Sequence, residues 1–211
     1  MKKREKQDLI IIVPGIKTLN SRPKLERKFL EEIIDFTHLM KPVRYEYVTA
    51  WKRGLRRKNN KVIVMDWGRN LGLSSFYSAK RKLLALIDKH HLKYELKIVA
   101  LSLGGKVAFD TVRELKEGKI KKLVLVAAMG IPDREELIQI PTLNLYANND
   151  GLAKLTTGIV LPLDEKLRMD GKNIKNIMIN IGHDGLCVGK KISRGKLKGK
   201  DLIKIVNAFL K

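Results

Sequence analysis

Ser102 stands among small residues in Ala100-Leu101-Ser102-Leu103-Gly104-Gly105, where the apolar run Leu96 to Leu101 gives way to a helical pattern. A serine on a sharp strand-to-helix turn projects its hydroxyl outward, and the residues two positions to either side must be small because strand and helix backbones crowd there. Ala100 and Gly104 hold those places. The pattern is that of a nucleophile elbow, although an ordinary Gly-containing turn with an exposed serine has the same composition. The rest of the chemistry must decide between them. At neutral pH an unassisted hydroxyl is a weak attacker, so a base has to take its proton.

The chain has four histidines. His90 and His91 close one helical pattern and His38 follows another, places where a positive group caps a helix end. His183, in Ile181-Gly182-His183-Asp184-Gly185, follows the last apolar run. A loop at the carboxyl end of an open sheet reaches over an elbow from there, which makes His183 the expected base. A carboxylate must then hold the imidazole in its working tautomer. Asp150, at the end of Leu145-Tyr146-Ala147-Asn148-Asn149-Asp150, gives the chain order Ser, Asp, His. Asp133, in Gly130-Ile131-Pro132-Asp133, follows the preceding apolar run and is the alternative.

Two N–H donors must also face the oxygen that becomes negative during acyl transfer. The backbone N–H of Leu103 follows the nucleophile and opens a helix. The second is expected from Ile16, in the loop Val13-Pro14-Gly15-Ile16-Lys17, with Gly15 letting that loop approach a substrate closely.

These residues need a scaffold, and the hydrophobic pattern supplies one. Short β-branched runs alternate with longer helical ones, the signature of a parallel sheet covered by helices on both faces. Strands are expected at Asp8 to Val13, Lys61 to Met65, Leu96 to Leu101, Lys122 to Ala127, Thr142 to Tyr146 and Ile174 to Ile181. Most read as continuous apolar runs, as strands buried on both faces do. Helices are expected at Pro23 to Phe36, Ser75 to His90, Leu103 to Glu117 and Asp201 to Leu210. Tyr47 to Arg57 reads either as a basic amphipathic helix with Trp51 and Leu55 inward or as an irregular excursion. Asp66 is expected to order its own loop.

The 211 residues, 44% of them apolar, suit a single α/β domain behind a basic tail over residues 1–7. No apolar run approaches the roughly 20 residues that span a bilayer, and the run Leu9 to Val13 is too short for a signal peptide. One cysteine, Cys187, forms no internal disulfide, and a cytoplasmic location is expected. The formal net charge is +22, with basic clusters at Lys2 to Lys6, Lys52 to Lys61, Lys80 to Lys82 and Lys190 to Lys200. Such a balance attracts polyanions or anionic lipid surfaces without saying which. The clusters lack the repeated aromatic interleaving of single-strand binding platforms, so a solvated basic face is expected rather than a nucleic-acid partner.

Together the motifs resemble those of the α/β-hydrolase superfamily, and within it the small, lid-poor bacterial lipases of the Bacillus lipase A type. Three segments carry the likeness. Lys97-Ile98-Val99-Ala100-Leu101-Ser102-Leu103-Gly104-Gly105 is similar to that family's elbow, which also has Ala two residues before the serine, in place of the usual Gly. Met169-Asp170-Gly171-Lys172-Asn173, with Gly182-His183-Asp184-Gly185-Leu186, resembles its histidine region. Tyr146 to Asp150 is similar to its acid loop. The resemblance implies an α/β-hydrolase fold and a carboxylic-ester hydrolase acting through Ser102, Asp150 and His183, with no metal or organic cofactor.

The family usually has His-Gly after the first strand and a His before the nucleophile. Pro14 and Leu101 stand there in this chain, departures that bear on substrate choice, and Gly15 and Leu101 are the expected substrate-binding residues. Val62-Ile63-Val64-Met65-Asp66-Trp67-Gly68 also resembles the strand and Asp-Trp pair of triglyceride lipases. The short connection Ala128 to Pro141 leaves no room for a cap, so an open site facing a small-molecule or lipid ester is expected, with an anionic membrane surface as a partner. The same triad would serve a thioesterase or amidase. A non-catalytic basic scaffold is the alternative of another class.

Overall fold

The computed structural model describes residues 6–15, 46–67, 73–129, 139–147, 168–169, 171–179, 186 and 201–211. In chain order these contain β1 (Asp8–Val13), α1 (Glu46–Leu55), β2 (Asn60–Val64), α2 (Leu73–His90), β3 (Glu95–Leu101), α3 (Gly104–Val112), β4 (Lys122–Val126), β5 (Thr142–Tyr146), β6 (Ile174–Met178) and α4 (Leu202–Leu210). The helix expected over residues 23–36 lies outside the described residues.

The strands form one six-stranded sheet in the order β2-β1-β3-β4-β5-β6, every neighbouring pair parallel. The class is therefore α/β. Alternate residues of each strand feed opposite cores. Ile10, Ile12, Val99, Leu101, Val124 and Val126 pack with Trp51 and Leu55 of α1 and with Leu202 and Val206 of α4. Leu9, Ile11, Ile98, Ala100, Leu123 and Leu125 pack with Ala79, Leu83 and Ile87 of α2 and with Val107 and Phe109 of α3. Burial on both faces explains the apolar runs, since neither side of the central strands meets water.

Element boundaries moved where side chains or turns intervene. The segment around Trp51 is a helix, and it stops at Leu55 because Asn60 seizes the chain end: its Nδ2 donates to the Leu55 carbonyl at 2.9 Å, and its Oδ1 accepts from the Arg57 N–H at 2.8 Å. The helix expected to run to Glu117 ends at Val112. There Glu114 and Leu115 donate three residues back, to Thr111 and Val112, which tightens the last turn. The fourth strand ends at Val126 rather than Ala127, whose φ of 48° breaks the extended chain. The last strand likewise stops at Met178. His91 caps α2 as expected, with Nδ1 at 3.2 Å from the Ile87 carbonyl and 3.0 Å from that of Asp88.

Helix α4 is fastened at both ends. The Asp201 carboxylate accepts from the N–H of Ile203 at 2.8 Å and of Lys204 at 3.4 Å. At the other end Lys97 donates to the Leu210 carbonyl at 2.6 Å and Lys122 to that of Phe209 at 2.7 Å, cations placed where the helix dipole is negative. Lys97 also pairs with Asp8 at 2.6 Å and is only 4% exposed. Burial, and next the repulsion of Lys97, hold the Lys122 ammonium below the usual lysine range. Lys97→Met keeps the stem but strands the Asp8 carboxylate and a helix-end carbonyl. A stability loss of about 2 kcal/mol is expected in urea denaturation, below the full value for a buried pair because Asp8 keeps contact with water.

Candidate active site

Chain order and sheet order diverge at β1: from β1 the chain goes to β2 on one side, then crosses to β3 on the other. In open α/β sheets the crevice beyond the carboxyl ends of two such strands is where ligands bind. Ser102 follows β3 directly, and Gly15 lies two residues beyond β1.

Ser102 takes φ 53°, one of two non-glycine residues with positive φ among those described, the other being Ala127. This left-handed conformation costs an L-residue roughly 1–2 kcal/mol and persists only where the surroundings enforce it. The enforcement is visible. The Ser102 N–H donates to the Val126 carbonyl at 2.9 Å, and its own carbonyl accepts from Gly105 at 2.8 Å and from Met129 at 3.3 Å. Its hydroxyl is partly buried and donates to the Met129 sulfur at 3.4 Å.

Small residues are required around it by close backbone approach. A Cβ on Gly104 would stand 2.2 Å from the Val13 carbonyl oxygen and 2.6 Å from that of Pro14. A Cβ on Gly15 would stand 2.9 Å from the Ser102 Cβ and 3.3 Å from its Oγ. The end of β1 therefore lies directly against the serine. Ala100, two residues before it, is fully buried between the sheet and its helices.

Leu103 has helical angles, φ −60° and ψ −19°, and its side chain makes no cap to α3. The first N–H groups of a helix lack intrahelical partners. The N–H of Leu103, next to the serine, stands at that end. Leu101 was expected at the substrate, but its side chain is fully buried among Val99, Val126 and the helices of the first core. Only its carbonyl oxygen faces Gly15, 3.2 Å from where a Cβ would be. Ile16, Asp133, Asp150 and His183 lie outside the described residues.

Two supports escaped the sequence reading. Trp67, 4% exposed, donates its indole N–H to the Pro14 carbonyl at 2.7 Å and so fixes Pro14, just past the end of β1. Asn144, buried in β5, donates to Asn176 of β6 at 2.9 Å, and Asn176 accepts from the Met169 N–H at 3.1 Å. That network fastens the segment entering β6. The signal for it was a polar residue inside an otherwise apolar run, Thr142-Leu143-Asn144-Leu145-Tyr146.

No protein-family model matches the chain, and no curated protein is significantly similar to it. Among the described residues no group of His, Cys, Asp and Glu is arranged to hold a metal ion, and no helix is long and apolar enough to cross a membrane.

Proposed function

We propose that the chain is a serine hydrolase of the α/β-hydrolase kind, cleaving carboxylic esters through an acyl-enzyme. The observation that carries this reading is the left-handed Ser102 at the switch point of the sheet, at the start of a helix. Strain at that one position is hard to explain by folding alone and suits a hydroxyl that must stand clear of its own backbone.

In the proposed reaction His183 takes the Ser102 proton as Oγ bonds to the ester carbonyl carbon. The carbonyl oxygen becomes an oxyanion facing the N–H groups of Leu103 and Ile16. The C–O bond then breaks, and the alcohol leaves with the proton from the imidazolium. Water, deprotonated by the same imidazole, attacks the acyl carbon, and the bond to Oγ breaks as Oγ takes that proton back, which releases the carboxylic acid and restores Ser102. Asp150 orients His183, with Asp133 as the alternative. No step calls for a cofactor.

The test is labelling by a fluorophosphonate, read by intact mass and peptide mapping, in the native protein, Ser102→Ala and His183→Ala. The expected result is one adduct on Ser102, absent from the first variant and much slower in the second. Folded native protein that acquires no adduct would overturn the proposal. A panel of oxygen esters, thioesters and amides then identifies the bond cleaved.

Trp67 gives a second handle on the loop that carries the Ile16 N–H. Trp67→Phe removes the donor to Pro14 while keeping an aromatic ring in the core. A stability loss of about 1–2 kcal/mol is expected, because a buried carbonyl loses its partner. Ester hydrolysis is expected to fall by about tenfold to a hundredfold, the scale of a displaced catalytic group. Unchanged steady-state rates would remove this loop from the reaction.

A further inference from the structure

The surface at the amino ends of the strands, opposite the proposed site, gathers cations from three separate segments. From Tyr47 to Met65 the chain carries Lys52, Arg53, Arg56, Arg57, Lys58 and Lys61 without one carboxylate. The turn after α1 is not slack, because Asn60 binds both the Leu55 carbonyl and the Arg57 N–H. Strand register then sets Asn60 beside Asp8, and Asp8 beside Glu95. At a strand spacing of about 4.8 Å, the segment 56–61 and the α2–β3 connection lie about 10 Å apart across the start of β1. Lys93 belongs to that connection, Lys89 to the last turn of α2 that leads into it, and Lys6 precedes β1.

The carboxylates at this end do not neutralise the group. Asp8 is held by Lys97 and Asp88 by Lys119, each at 2.6 Å, and among the described residues Glu95 forms no ion pair with the group. Among the described residues no ion pair involves Arg56, Arg57, Lys58, Lys61, Lys89 or Lys93, and all six are exposed. His90, between them, is held below the usual imidazole range, first by burial and then by Lys89, Lys61 and Lys93. Helix dipoles account for cations in a last helical turn, such as Lys52, Arg53 and Lys89. They do not account for Arg57, Lys58, Lys61 and Lys93, which lie outside the helices.

We infer that this surface binds the phosphate backbone of a nucleic-acid duplex, independently of sequence and independently of the hydrolase reading. Arginine forks on a fixed turn suit phosphate oxygens. Among the described residues at this end no open aromatic face is offered for stacking a base: Tyr94 lies under Lys93 and in a T-shaped contact with His90. Backbone contact is therefore the mode. A bilayer fits this end less well, since Leu92 is the one large apolar side chain standing exposed there among the described residues. Ser102 sits at the other end of β3, about 20 Å away by strand rise, so a duplex held here leaves the site open.

The experiment is fluorescence anisotropy with a short labelled DNA duplex across a salt series. It compares the native protein with Arg56→Ser, Arg57→Ser, Lys58→Ser and Lys61→Ser combined, and with a charge-matched control away from the amino ends of the strands, Arg81→Ser, Lys82→Ser, Lys106→Ser and Lys204→Ser combined. The turn is held by the Arg57 backbone and the Asn60 side chain, so the first set leaves it intact, and circular dichroism checks the fold. The expected result is a loss of at least about tenfold at roughly 0.15 M salt, with the log–log salt slope shallower by about three to four, for the first set only. Equal losses in both variants would mean that net charge and not this surface does the binding, and would overturn the inference. So would a native protein that binds no duplex, or one whose set-dependent binding is to phosphatidylserine vesicles and not to DNA.

Discussion

Ser102→Ala is expected to lower ester hydrolysis by about 10⁴- to 10⁶-fold, the range seen when a triad nucleophile is removed. Folding should be untouched, because alanine at φ 53° carries the same backbone strain as serine. A second substitution at this position separates chemistry from geometry. Glycine adopts positive φ freely, so Ser102→Gly should also be inactive, yet be as stable as the native protein or up to about 1 kcal/mol more so. Glycine in an unstrained loop costs stability through the freedom it adds to the unfolded chain. Urea denaturation of the three proteins reads this directly. A Ser102→Gly variant destabilised by more than about 1 kcal/mol would show that the elbow stores no strain, and the argument for a specialised serine would lose its main support.

Gly104→Ala is expected to have the largest effect on stability, a loss of about 3–5 kcal/mol. One methyl does this because the obstacles are the Val13 and Pro14 carbonyl oxygens, at 2.2 and 2.6 Å from the new Cβ. No rotamer change clears a backbone. Helix α3 would have to withdraw from β1, which moves the Leu103 N–H away from Gly15 and opens the site that the fold assembles. Gly118 is the control. Its φ is 85° and nothing stands within 4 Å of a Cβ there, so Gly118→Ala carries only conformational cost, about 1 kcal/mol. Thermal or urea melts that rank the two variants equally would refute the close-approach argument.

The α/β class was legible because each strand's run and each helix's stripe is a local property. Ile10 to Val13 must be apolar throughout, since β1 is the second strand of the sheet and is covered on both faces. Ala79, Leu83 and Ile87 recur at helical spacing for the same reason. Where readings shifted, the cause was a side chain acting on the backbone a few residues away or a turn of the backbone itself. Asn60 ending α1 is such a case, and so is Ala127 leaving β4. Neither alters the hydrophobic period, so period alone does not reveal them. The elbow was legible for a different reason: the small-large-serine-large-small pattern is local in the sequence, although the obstacles to a Cβ at Gly104 are the remote Val13 and Pro14 carbonyls.

By itself, then, the sequence determined the α/β class, the strands and most helices, the place of Ser102 and the small residues two positions to either side of it. Tertiary structure alone decided which distant groups meet. Trp67 reaches Pro14 across 53 positions, Lys97 reaches Leu210 across 113, and Gly15 comes to rest against Ser102. It also turned a long basic composition into a surface, by laying the starts of β2, β1 and β3 side by side. The physical reason is common to all of these. Helices and strands follow from interactions between near neighbours, but strand order follows from how whole faces bury one another, and only that order brings remote residues within a bond's length.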